Sequence, residues 1–319
     1  MGVIPIVPLY LHTTSAQAQA RTYPVRPITL VAPYAAGNTA DMGGRLLAQQ
    51  LGALLGQSIV VENRPGAGGV SAVKQVSGAT PDGYTLLQSG TAMAITQSLF
   101  KPPPYDMLKS FVPISLLTAT DVLILVRNDS KLRNLNDFIH EAKSKKNGLM
   151  IGVSALGTTQ HLSAELLKLN AKIDYTIVPF KSASALNAAL LAGDIDAEFE
   201  LVSAMLGLLQ AGQVRALAIG SEKRVELLPD VPTVGEQGVP HFEVMASGMI
   251  VAPAKTPDAI VQLLNRDIQQ VLSQPDVVKR FKDYGQRVLG GSAAQAQDFL
   301  KSEILKWGRV VNEANISFK

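Results

Sequence analysis

The 319-residue chain has no cysteine, which excludes disulfides, thiolate nucleophiles, zinc–thiolate sites and thiol-linked lipids. Histidine is scarce, and His12, His140, His161 and His241 stand at no metal-ligand spacing. Charged residues make up 17% and nearly cancel, 29 Lys+Arg against 26 Asp+Glu for a net charge of +3. So thin an excess gives no grip on nucleic acid or an anionic membrane. The G-x-S-x-G elbow, the H-E-x-x-H helix and the G-x-x-x-x-G-K-[ST] phosphate loop are missing as well. The chain therefore reads as a non-enzyme, with no metal and no cofactor.

What is present is an apolar composition, 47% hydrophobic, which excludes a disordered chain. At this length a single core normally divides, so two lobes are expected. Residues 1–20, MGVIPIVPLYLHTTSAQAQA, carry no charge and end in the small-x-small pattern Ala18-Gln19-Ala20. They read as a secretory signal peptide, although no Lys or Arg precedes the apolar stretch. The run Val3–Leu11 is shorter than the roughly 20 residues that span a bilayer. Cleavage would leave an extracytoplasmic chain starting at Arg21.

Beyond Arg21, strand-like and helical runs alternate: Ile28–Pro33, Asp41–Leu55, Ser58–Val61, Val70–Val76 and Tyr84–Gln88, then a break at Lys101–Asp106. They resume with Val122–Val126, Leu135–Lys145, Met150–Val153, Thr159–Leu169, Thr176–Pro179, Ser184–Ala192, Ala197–Leu201 and Ala216–Ile219. Such alternation predicts α/β lobes, each a sheet flanked by helices. Met249–Pro253 reads as a strand returning to the first lobe, with helices Pro257–Leu272 and Ala293–Asn312 after it. The expected division is 21–121 with 247–319 as lobe 1 and 122–246 as lobe 2, hinged where two strands cross. Trp307, among Phe299, Leu300, Ile304, Leu305 and Val310, reads as core packing.

Gly66-Ala67-Gly68-Gly69 follows a strand and precedes a helix, the setting of a dinucleotide fingerprint. The third glycine's place holds Ser71 and no acidic residue ends a second strand, so a tight structural turn is the better reading. Two other loops sit where a strand hands over to a helix: Tyr34-Ala35-Ala36-Gly37-Asn38-Thr39 and Ala155-Leu156-Gly157-Thr158-Thr159-Gln160. A helix start leaves peptide N–H groups unpaired and partly positive, so each loop is either an ordinary cap or a carboxylate seat. On the second reading, Gly157→Asp would fill the seat with negative charge and leave the fold intact.

Tyr34–Asp41, Val60-Val61-Glu62-Asn63-Arg64-Pro65-Gly66-Ala67-Gly68-Gly69, Pro81-Asp82-Gly83-Tyr84, Tyr105-Asp106, Gly157–Leu162 and Leu228–Thr233 resemble, in order, the Bug family. These are periplasmic solute receptors of tripartite tricarboxylate transporters. The resemblance implies a monomeric, two-lobed periplasmic binding protein of type II-like fold. It would close over a small organic acid, a di- or tricarboxylate or an aromatic acid, and present it to the transporter's membrane subunits. A periplasmic sensing receptor acting on a sensor kinase is the alternative.

The resemblance also implies that residues of the second loop, Gly157 to Gln160 beside Ala155, hold a ligand carboxylate. Tyr34, Ala35, Ala36, Gly37, Asn38 and Thr39 would face the ligand's other end. Ser89, Gly90 and Thr91, and Phe180, Lys181, Ser182 and Ala183, would be further walls. Where the family carries Pro-Gly-Gly this chain has Ala36-Gly37-Asn38, and where it carries Tyr-Lys-Gly, Phe180-Lys181-Ser182. Glu200 stands in place of a family Asp; it is either an acceptor for a ligand hydroxyl or amine, or a solvated strand end. Lys181 is either a ligand partner or a solvated lysine. His161 would lie behind the loop, and Asp41 would order the first loop without touching the ligand.

Overall fold

The computed structural model describes residues 23–144 and 148–318; the expected leader lies outside the described residues. The chain opens as β1 (Ile28–Ala32), α1 (Thr39–Leu55), β2 (Ile59–Asn63), α2 (Val70–Ser77), β3 (Thr85–Gly90) and α3 (Thr91–Leu99). β1 pairs in parallel with both β2 and β3. Parallel strands need helical crossovers, so the C-terminal ends of all three strands, and the starts of α1, α2 and α3, share one edge.

A one-turn helix, α4 (Met107–Ser110), leads into β4 (Phe111–Arg127), the strand that joins the two halves. Next come α5 (Leu135–Ser144), β5 (Met150–Val153), α6 (Thr159–Ala171), β6 (Thr176–Pro179), α7 (Ala183–Ala192), β7 (Ala197–Leu201), α8 (Val202–Gln210) and β8 (Val214–Ile219). The chain finishes with β9 (Met245–Pro253), α9 (Asp258–Leu272), α10 (Pro275–Asp283), β10 (Arg287–Val288) and α11 (Ala293–Glu313). The strand order is β2-β1-β3-β9-β4-β7-β5-β6, with β8 and β10 also on β4.

β4 changes partners midway. From Phe111 to Asp121 it pairs antiparallel with β9, Asp121 opposite Met245; from Val122 it pairs with β7, Val122 opposite Leu201. The return crossing is stitched by Gly220 N–H to Val122 O at 2.8 Å and Val244 N–H to Gly220 O at 2.8 Å. The chain thus passes between the halves at Asp121–Val122 and Val244–Met245, the second a few residues before the strand start expected at Met249. Arg287 grips the buried Asp121 at that junction with bonds of 3.0 and 3.1 Å.

The first half of β4 escapes a sequence reading that finds only Val122–Val126. Its register against β9 slips twice, between Pro113 and Ser115 and between Leu116 and Ala119. Each slip breaks the alternation by which strands are recognised. α3 and α10 also go unread.

Trp307 is fully buried, in one cluster with Leu99, Leu162, Leu166, Val310 and Val311. The core reading therefore holds for it, whereas Leu305, expected beside it, is 74% exposed. α11 and α3 of the first half pack on α6 of the second in that same cluster. Among the described residues no helix is long and apolar enough to cross a membrane.

Candidate binding cleft

A cleft of about 700 Å³ lies between the halves. Its walls carry Tyr34 of the loop after β1, Asn38, Thr39 and Ala40 at the start of α1, Ala92 and Met93 at the start of α3, and Thr158, Thr159 and Gln160 at the start of α6. Ser203 and Ala204 of α8 complete this ring of helix starts. Among the described residues, no Lys, Arg, His, Asp or Glu lines the cleft. Its electrostatics come from peptide dipoles and neutral polar side chains.

The first loop is held from behind. Asp41, 1% exposed, accepts from Gly37 N–H at 2.8 Å, Arg45 Nε at 2.9 Å and Asn63 Nδ2 at 2.7 Å. Burial acts to raise its pKa, but the bonds from Arg45, Asn63 and Gly37 outweigh it and hold the carboxyl below its ordinary value. Asn63 also donates to Tyr34 O at 3.1 Å. Asn38 caps α1, its Oδ1 accepting from Asp41 N–H at 2.8 Å. Its Nδ2, and the N–H groups of Thr39 and Ala40, find no acceptor among the described residues.

The second loop follows the same plan. Thr158 caps α6, its Oγ1 accepting from His161 N–H at 3.3 Å and donating to Ala155 O at 2.8 Å. His161 is 4% exposed, and burial pushes its pKa down to about 4. The ring is therefore neutral, and its Nδ1 accepts from Gly157 N–H at 3.1 Å. Gly157's amide thus serves the loop, while those of Thr158, Thr159 and Gln160 find no acceptor among the described residues. Gly157 has φ +78, and a Cβ there would lie 2.8 Å from Phe318 Cε2 and 2.9 Å from Leu99 Cδ1. This corrects the expectation that Gly157→Asp spares the fold: at that positive φ a side chain is strained, and its Cβ would have to displace the Phe318 ring and the Leu99 side chain.

Of the residues singled out from sequence, Tyr34, Asn38, Thr39, Gly157, Thr158, Thr159 and Gln160 line the cleft. Ala35, Ala36 and Gly37 form the exposed crest of the first loop, and Ala155 closes the Thr158 turn. Ser89 and Thr91 are buried behind the wall. A Cβ on Gly90 would come within 1.9 Å of Ser247 O, so only glycine fits there. Thr91 Oγ1 meets Ser247 Oγ at 2.9 Å and donates to the buried Glu303 at 2.9 Å. Phe180, Lys181, Ser182 and Ala183 lie outside the lining: Phe180 packs with Val178, Leu186 and Ile195, Lys181 is exposed, and Ser182 caps α7, with Ala183 the first residue of that helix. Glu200 is 2% exposed, not a solvated strand end, and its Oε1 accepts from Gln160 Nε2 at 2.6 Å.

The glycine-rich turn lies on the cleft wall through Gly66, Gly68 and Gly69. It reaches there because Thr96 Oγ1 donates to Gly68 O at 3.1 Å, folding the turn onto α3. A Cβ on Gly69 would meet Met93 and Pro33 at 3.0 and 3.1 Å. Thr118, Thr120, Ser247 and Gln286 on the floor were also missed, for they belong to strand halves and a loop that carry no motif.

A second hollow of about 660 Å³ lies beyond the contact of Gly285 with Ser203. Of its cations, Arg287, Lys282 and Arg224 are committed to Asp121, Glu226 and Glu236, the ammonium of the exposed Lys223 alone stays without a partner among the described residues, and neither loop reaches the hollow. The first cleft is the better candidate because both helix-start loops open into it with unspent N–H groups. No group of His, Asp and Glu that could hold a metal occurs among the described residues.

Comparison with known proteins agrees with this architecture. Residues 44–316 match the model of the tripartite tricarboxylate transporter family receptor. The periplasmic binding protein BugD superposes with a TM-score of 0.76 at 31% identity, over 93% of this chain and 100% of BugD. An R. palustris protein solved with adipate gives 0.79 at 33% identity, over 92% and 99%. MatC from Rhodopseudomonas palustris with bound malate gives 0.76 at 33%, over 91% and 100%. These neighbours are two-lobed binding proteins and not enzymes, and the chain belongs to the Bug family of tripartite tricarboxylate transporter receptors.

Proposed function

We propose that this protein is a periplasmic receptor that takes a small carboxylate-bearing solute into the cleft between its lobes and delivers it to a tripartite tricarboxylate-type transporter. The observation that carries the reading is the meeting of unspent N–H groups, at Thr39 and Ala40 of α1 and at Thr158, Thr159 and Gln160 of α6, in a cleft with no charged side chain among the described residues. Aligned peptide dipoles place partial positive charge at both helix starts, and an anion gains from each. Asn38 Nδ2 adds a donor on the first loop. The adipate and malate bound by the two R. palustris relatives support a carboxylate as the ligand.

The lobes are residues 23–121 with 245–318, and 122–244, dividing where β4 and the return crossing change sheets. Closure turns about these two strands. A thermal-shift screen of mono-, di- and tricarboxylates, aromatic acids and amino acids tests the reading. A ligand at 100 times its Kd adds about 2.7 kcal/mol, a rise in Tm of several degrees. A flat response to every carboxylate would refute it.

A further inference from the structure

Gln160 lines the cleft and is 8% exposed. Which end of its amide faces the cavity follows from the bonds behind it. Leu201 N–H donates to Glu200 Oε1 at 2.7 Å, so that oxygen is an acceptor. The Gln160 atom 2.6 Å from the same oxygen is therefore the donor, Nε2. Burial raises the pKa of Glu200, yet a proton there would sit on Oε2, which is buried without a partner, and the orientation is the same. Gln160 Oε1 is thereby left as the free end, and it accepts from no donor among the described residues.

The first turn of α6 thus presents opposite chemistries a few atoms apart: peptide N–H groups that attract a carboxylate, and a carbonyl oxygen that repels one. We propose that Gln160 Oε1 is a specificity-determining acceptor. It makes the cleft prefer an acid with a hydrogen-bond donor, hydroxyl or ammonium, on the carbon beside its carboxylate over the same acid without one. This inference rests on the carboxylate reading above. A bare acid would close the cleft over an unpaired acceptor, and such a group discriminates by about fivefold or more.

The test is calorimetric titration of three matched sets: propanoate, lactate and alanine; succinate, malate and aspartate; phenylacetate and mandelate. In any set that binds, the donor-bearing acid should bind at least about fivefold more tightly. Hydroxyl against ammonium is decided by which of lactate or alanine, and malate or aspartate, is preferred. Gln160→Met keeps the side chain's length without the acceptor and should reduce the preference to under about twofold. Gln160→Leu serves the same purpose should Gln160→Met not fold. Equal binding within every set, or a preference that survives both variants, overturns this inference and leaves the carboxylate reading standing. Failure of every acid to bind overturns both.

Discussion

At the scale of single residues, burial decides more than charge. Glu198 lies on β7 with 0% exposure, and neither carboxyl oxygen has a partner. Burial, with Glu200 nearby adding repulsion, pushes its pKa up to about 8. The folded protein therefore keeps a proton that the unfolded chain releases near 4.5. Glu198's contribution to stability is fully present below about pH 4.5, is lost as pH rises towards about 8, and falls no further above it. Glu198→Gln should flatten that slope, its Tm advantage over the parent growing by several degrees between about pH 5 and pH 8 in a scan at fixed ionic strength.

Gly157 carries a second residue-scale expectation. Alanine there must adopt the left-handed region at roughly 1–2 kcal/mol and press on Phe318 and Leu99. Urea denaturation of Gly157→Ala should show a loss of about 2 kcal/mol or more. A loss under about 0.5 kcal/mol would mean that the loop relaxes freely. Glycine in a loop announces backbone freedom from sequence. The ring that crowds it comes from the far end of the chain and leaves no local trace.

At the scale of elements, the cleft is a matter of strand order. The loops after β1 and β5 were legible because a capping residue among small residues, directly after a buried strand, is a local pattern. Which loops reach the other lobe is not local. In the second half the order from the junction is β4-β7-β5-β6, so the loops after β7 and β5 reach the cleft and the loop after β6, with Lys181, is one strand too far. The start of α8 reaches it without any motif, and Glu200 meets Gln160 only because β7 lies beside β5. On the first loop, Asp41→Asn keeps the size but loses the pairing with Arg45. It should weaken ligand affinity about threefold or more and lower stability by about 1–2 kcal/mol, measured by titration and urea denaturation. Unchanged affinity would mean that the loop's shape does not depend on that clasp.

At the scale of the whole molecule, the halves share two strand crossings, one packed cluster, the Lys282–Glu226 ion pair and the contact of Gly285 with Ser203. Trp307 sits in that cluster, its Nε1 donating to Glu303 at 2.9 Å. Glu303 accepts from Thr91, and Thr91 contacts Ser247 on the cleft floor. As the only tryptophan, it should report closure: a saturating ligand should shift its emission, and Thr91→Val should diminish that shift. An emission spectrum unmoved by a ligand that calorimetry shows to bind would place the moving parts away from α3 and α11.

Peptide groups, unlike lysine or histidine, have no proton to lose. Apart from the Tyr34 phenol, pushed up to about 12 by burial, nothing titratable lines the cavity among the described residues. On the function proposed above, the receptor meets whatever acidity its surroundings impose, and a grip made of backbone should hold an ionised solute with much the same strength in mildly acid and mildly alkaline medium.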